Sequence, residues 1–324
     1  MRPLKILTWH IHGSYLYYLT QAAADFYVLS KPDRRAGYAG RYGHFPWGAN
    51  VHDMPVSEVA QHDFDCVLFQ SPGHYLKYQH EILSGAQQRL PQIYLEHDPP
   101  RESAFDTRHP VDDPNVLLVH VTHFNRLMWN NGRTPTRVIP HGVVVPENVR
   151  YTGEVARGIV VINHLHRRGR RLGEDVYLAL RQHVPLDLVG MGSDESPGGI
   201  GEVRHDQLAA FETRYRFFFN PIRYTSLGLA VCEAMMLGMP ILGLATTEMV
   251  STIENGISGY LHNDPERLME TMRLLLEQPG EAQRLGQGAR TAAREQFAIE
   301  RFAHDWERTF AEVVGQRRTT RAAG

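Results

Sequence analysis

A chain of 324 residues exceeds the size at which a single hydrophobic core keeps growing, and its 42% hydrophobic content is that of a globular protein, so two domains are expected. A formal charge of -2 gives no reason to invoke nucleic acid as a partner. Cys66 and Cys232 lie in apolar runs and read as buried thiols of a reducing compartment, not as a disulfide staple. The opening MRPLKILTWH enters a strand-like run at once and lacks the apolar region and cleavage site of a signal peptide, so a cytoplasmic location is expected.

In chain order, strand-like apolar runs cover residues 4–9, 26–29, 65–69, 92–95, 116–121 and 137–139, with helical or irregular stretches between them. A second set covers 158–162, 186–189, 216–219 and 241–244. This alternation predicts an α/β fold of parallel sheets covered by helices. The polar stretch up to Gly158 looks like the join between two such units. Domains are expected over 1–147 and 148–296, followed by a helix over 297–315 with Phe302, Trp306, Phe310 and Val313 at helical spacing, and a frayed basic tail over 316–324.

In open parallel sheets ligands bind beyond the carboxyl ends of strands, which directs attention to the loops there. After the first strand, His10-Ile11-His12-Gly13-Ser14 holds a glycine that would let backbone approach a ligand, or simply a tight turn. Glu96-His97-Asp98-Pro99-Pro100 has two prolines that hold the loop exit extended, which makes His97 and Asp98 candidate catalytic residues; a turn cap is the alternative for Asp98. The segment 163–173 packs Arg167, Arg168, Arg170 and Arg171 into a short run, either a phosphate grip or a basic patch that is solvated, binds a partner or meets an anionic surface. Gly190 and Gly192 follow the strand 186–189, yet Glu195 stands where a dinucleotide fingerprint would need its third glycine.

The most specific signal is residues 220–261. Turn-like Tyr224, Thr225 and Ser226 precede Leu227 and Gly228, after which Leu229, Cys232, Met236 and Leu237 recur at helical spacing until Gly238 and Pro240. The first N–H groups of such a helix have no intrahelical partner, so this end suits a diphosphate. Glu233, further along the helix, is suited to accept hydrogen bonds from a pair of sugar hydroxyls. Past the next strand, Thr247 and Glu248 are candidate site residues, with ordinary capping of the next helix by Thr246 or Thr247 as the alternative, and Asn255-Gly256 reads as a helix stop and turn.

These residues resemble the donor motif of the GT-B glycosyltransferases of family 4, also called glycosyl transferases group 1. Asn220-Pro221, Gly228-Leu229, Glu233-Ala234-Met235, Gly238, Pro240 and Asn255-Gly256 with Gly259 fall on the family pattern, while Thr225 stands where the family has its first glutamate. The resemblance implies two Rossmann-like domains facing across a cleft, the second holding a nucleotide diphosphate sugar as donor substrate and the first an acceptor, a glycan, a lipid-linked sugar or a small molecule. It implies donor contacts by Gly13, His164, Arg168, Arg171, Gly190, Gly192, Thr225, Ser226, Leu227, Gly228, Glu233, Thr247 and Glu248. It places His97 against the donor sugar, near the reacting carbon. Retention at the anomeric carbon, no metal and no further cofactor are also implied, with polysaccharide biosynthesis as the family's usual setting. Two other readings stay open: a non-catalytic sugar-nucleotide-binding or partner subunit, motivated by Thr225, and a nucleotide-sugar epimerase using Asp98.

Lys5, Lys31 and Lys77 are the lysines, so a pyridoxal phosphate Schiff base in the second domain is excluded. The histidine pairs 10/12, 120/123 and 164/166 are weak grounds for a metal. The stretch 31–53 mixes Arg34, Arg35 and Arg41 with Tyr38, Tyr42, Phe45 and Trp47, which suits a glycan or the anionic inner membrane surface, or a plain surface loop.

Overall fold

A computed structural model describes residues 2–43 and 45–322, with no account of the side chains beyond residue 316. The chain divides into two compact units, residues 1–142 with 299–324 and residues 143–298.

Unit 1 holds the strands β1 (Leu4–Thr8), β2 (Ala24–Ser30), β3 (Val51–Pro55), β4 (Cys66–Phe69), β5 (Gln92–Glu96), β6 (Val116–His120) and β7 (Thr136–Val138). Unit 2 holds β8 (Val155–Val161), β9 (Leu186–Val189), β10 (Tyr215–Asn220), β11 (Ile241–Gly243) and β12 (Gly259–Leu261). The helices that matter below are α1 (Gly13–Leu19), α2 (Glu174–Leu180), α3 (Leu229–Leu237), α4 (Pro265–Glu277), α5 (Pro279–Gln296) and α6 (Ile299–Ala322).

Among the described residues the first sheet runs β3-β2-β1-β4-β5-β6-β7 and the second β12-β11-β10-β8-β9, with parallel pairing throughout. The central strands are rich in apolar residues because both faces are covered: β4 and β10 are buried along their whole length. The expected strands are present. β3 and β12, which the sequence reading placed in loop and turn, complete one edge of each sheet.

Chain order fixes where ligands can enter. In unit 1, β2 and β3 build outward on one side of β1, and the chain then returns to lay β4 on the other side. In unit 2, β9 lies on one side of β8 and β10 on the other. The loops that leave β1 and β4, and those that leave β8 and β10, therefore diverge at a switch point and leave a crevice.

The helices follow from amphipathic spacing and caps. Asp264 accepts from the Glu266 N–H at 2.9 Å and Pro265 opens α4, whose Leu268, Met272 and Leu275 are buried in the unit 2 core. In α6 the buried stripe is Phe302, Trp306, Phe310 and Val314; strict four-residue spacing selects Val314 over the expected Val313. Burying Phe302 and Phe310 contributes about 1.5–3 kcal/mol each, and Arg137 adds a bond to Thr309 Oγ1 at 2.8 Å and an ion pair with Glu312. α6 continues past residue 315, through most of the segment expected to fray, and residues 323–324 lie outside the described residues. Among the described residues no helix is long and apolar enough to cross a membrane.

Candidate active site

The unit 2 crevice is assembled from loops distant in sequence. After β8 the chain makes a short helix (Leu165–Arg168) and a 3-10 turn (Gly169–Leu172), then enters α2 through Gly173. The Arg171 carbonyl accepts the N–H groups of Arg223 and Tyr224 at 3.1 and 3.2 Å. Gly173 has φ +80°, and a side-chain carbon there would lie 1.9 Å from the Pro221 carbonyl oxygen. Arg223 reaches back to bind Asp175 with both guanidinium nitrogens and the Arg170 carbonyl at 2.7 Å. The arginine loop and the loop feeding α3 are thus one hydrogen-bonded structure.

Gly228 is the extended residue that opens α3, with no side-chain cap. Val231 N–H bonds the Gly228 carbonyl at 3.0 Å, so the N–H groups of Leu229 and Ala230, ahead of it, have no helical acceptor. Thr225 is half-buried beside buried Ser226 and Leu227. Glu233 is on the second turn and 9% exposed. Its neighbour Glu212 has a carboxyl held well above the usual carboxylate range, first by burial and then by the charge of Glu233.

The four arginines of the 163–173 run do not serve alike. Arg170 is paired with Asp175, whereas Arg171 and Arg167 form no ion pair among the described residues. Arg168 is exposed and Arg171 half-buried. His164, the expected counterpart of a phosphate-gripping arginine, adopts φ 53° as a turn residue; its N–H bonds the Met191 carbonyl at 2.7 Å. Its ring packs on Gly192, where a side-chain carbon would come within 2.8 Å of Nδ1. Gly190 is equally confined, 2.7 Å from the Ile162 carbonyl oxygen by the same measure. Both glycines serve the close packing of the β8 and β9 loops. At the end of β11, Thr246 Oγ1 donates to the Ile222 carbonyl at 3.0 Å and caps no helix; Thr247 has φ 52°, and Glu248 precedes the helix Met249–Thr252 without a side-chain cap.

Unit 1 carries its own pocket of about 530 Å³ at the β1/β4 switch point, lined by His12, Gln70, Glu96, His97, Asp98 and Trp129 among others. His97 sits in a cage of rings, 4.4 Å from His12 and edge-on to Tyr15 at 4.7 Å. Burial first, then electrostatic repulsion from His12 and His141, holds its imidazole well below the usual histidine pKa, so it is neutral. Asp98 Oδ2 is engaged by Arg101 at 2.5 Å, which weakens it as a free base. Its N–H bonds Glu96 Oε1 at 2.9 Å, and Glu96 Oε2 faces His109 at 3.1 Å. Gly13 starts α1 with a side-chain carbon's place 2.9 Å from the Phe45 ring, so it serves packing in that loop. Sequence reasoning missed Gln70, Glu96 and the Arg223–Asp175 pair, which become visible only once strand order is known. Among the described residues no group of three His, Cys, Asp or Glu is arranged to hold a metal ion.

Two parallel sheets, each with loops that diverge at a switch point, have the make-up of the GT-B fold. Solved structures agree. Sucrose-phosphate synthase from Thermosynechococcus elongatus matches over 98% of this chain and 100% of its own, with a TM-score of 0.69 at 15% identity. HepE from Anabaena, in complex with UDP, matches over 96% and 100% with a TM-score of 0.68 at 14% identity. AviGT4, a glycosyltransferase involved in avilamycin A biosynthesis, matches over 97% and 99% with a TM-score of 0.64 at 14% identity. At these identities the likeness establishes the fold. No curated protein matches the chain in sequence. Residues 199–292, which carry β10, α3, β11, β12 and α4, match the family described as glycosyl transferases group 1.

Proposed function

We propose that the protein transfers a hexose-type sugar from a nucleotide diphosphate sugar to a glycan, a lipid-linked sugar or a small molecule, with retention and without a metal, in the manner of family 4. The observation that carries this reading is the bonding of the Arg171 carbonyl to Arg223 and Tyr224, with Gly173 against Pro221, which joins the guanidinium loop to the approach to α3. As the glycosidic bond breaks, negative charge grows on the diphosphate. Arg168 or Arg171, with the N–H groups of Leu229 and Ala230, would stabilise that charge in place, and donors fixed in advance around a developing charge are what a protein adds most effectively to such a step. Glu233 would accept the ribose hydroxyls, and the half-buried Thr225 would offer one hydroxyl to the donor hexose. HepE has been seen with UDP-glucose, which makes a UDP-sugar the first donor to try.

The acceptor is assigned to the unit 1 pocket, where His97 meets the sugar and Asp98, tied to Arg101, positions the loop. Residues 31–53 would meet a glycan, or the cytoplasmic face of a membrane if the acceptor is lipid-linked, and polysaccharide synthesis is the expected setting. Thr225 favours one second reading, a subunit that binds the donor without turning it over. A panel of UDP- and GDP-sugars, read for donor consumption and for thermal shift, separates the two. Consumption supports transfer; a shift with no consumption, with or without acceptors, supports the binding subunit.

A further inference from the structure

We propose that Gln70 is a positioning residue that fixes His97 as the Nε2–H tautomer, leaving Nδ1 to accept a hydrogen bond from a substrate hydroxyl in the unit 1 pocket. The proposal rests on the reading of that pocket as a substrate site. Gln70 leaves β4 at the switch point and is 6% exposed. Its Nε2 donates to the Trp9 carbonyl at 3.1 Å and to Thr8 Oγ1 at 3.0 Å, and Thr8 has already given its own proton to the Leu68 carbonyl at 2.9 Å. A carbonyl can only accept, so the amide nitrogen must face Trp9; flipping the amide would set oxygen against oxygen. The Gln70 oxygen is left 3.0 Å from His97 Nε2. An amide oxygen has no proton to give, so that nitrogen of His97 carries one.

The bonds run one way, from His97 through Gln70 to the backbone of β1 and, through Thr8, to β4. Nδ1 makes no hydrogen bond among the described residues, and the ring lines the pocket. The groups around it keep the ring uncharged: His12 from the loop after β1, His141 from the segment after β7 and the neutral Tyr15 of α1, while Glu96 and Asp98 at the same strand end are engaged by His109 and Arg101. A neutral imidazole in this tautomer takes an O–H and cannot offer an N–H from Nδ1. A substrate hydroxyl is therefore recognised as a donor of its proton, and its deoxy or methoxy counterpart is refused.

Two-bond proton–nitrogen correlation spectra of the full chain with labelled histidine test this, with His97 assigned by its disappearance in His97→Gln. At neutral pH the wild type should show a pyrrole-type Nε2 and a pyridine-type Nδ1. Gln70→Leu should show mixed tautomers and a kcat/KM lower by about tenfold. Gln70→Glu keeps an acceptor but adds a charge, so His97 should titrate at higher pH than in the wild type, and the acid limb of the activity profile should move up with it. A wild-type proton on Nδ1, or a His97 spectrum unchanged by Gln70→Leu, overturns the proposal. The spectra need no turnover: the expected tautomer in a protein inert toward every donor sinks the transfer reading and leaves Gln70 its role, whereas the reversed tautomer in an active enzyme sinks the role of Gln70 alone.

Discussion

Replacing Glu233 by Gln keeps the shape of the side chain and removes one charge, at a position where the charge has a defined purpose. Glu233 and Glu212 are buried together, and burial with the charge of Glu233 holds the Glu212 carboxyl well above the usual carboxylate range. A hydrogen bond to a charged acceptor is worth about 1.5–3 kcal/mol, which converts to a loss of nucleotide affinity of roughly ten- to a hundredfold. Calorimetric titration with UDP and GDP measures it, and repeating the titration with the 2′-deoxy nucleotides isolates the hydroxyl. Wild type should discriminate ribose from deoxyribose by a comparable factor, and Glu233→Gln should discriminate hardly at all. Removal of the like charge relieves Glu212, so the variant should melt no earlier than wild type. An unchanged Kd, or the same ribose preference in both proteins, would refute the assignment of Glu233 to the ribose.

Glu212→Gln addresses the other half of the pair. The folded pKa of Glu212 lies above its unfolded value, so the folded chain binds the extra proton and stability declines as pH rises from the ordinary glutamate range toward the folded pKa. The variant should be about 1–3 kcal/mol more stable than wild type at neutral pH and lose that advantage in acid; parallel denaturant stability curves across that range would contradict this. Gly173→Ala should part the arginine loop from Pro221, with about 1–3 kcal/mol of strain from its left-handed backbone and weaker nucleotide binding. Gly280→Ala in α5, where a side-chain carbon meets nothing within 4 Å, serves as the control and should be neutral or slightly stabilising in thermal melts.

The strands were legible in the sequence wherever both faces are buried, as in the apolar β4 and the Phe217–Phe219 run of β10. β3 escaped notice because Val-His-Asp-Met-Pro buries only Val51 and Met54 and pairs on one side, and β12 because a three-residue edge strand beginning with glycine reads as a turn. The α3 motif was legible because its information is local: a glycine, a helix start and an acid within two turns. Gln70 and Arg223 were not, since each acts on residues far along the chain, brought near by the order of strands. His164 shows the limit of reading by motif. Its position matched a phosphate-gripping arginine, but its backbone conformation turns the ring against Gly192.

Hydrogen–deuterium exchange of the wild-type chain with and without the donor nucleotide tests most directly the claim that the diphosphate is held at the carboxyl edge of the second sheet. Slower exchange at residues 168–173 and at the start of α3, residues 227–231, is the expected result. Protection confined to residues 1–142, or none at either segment when the nucleotide is saturating, would contradict it.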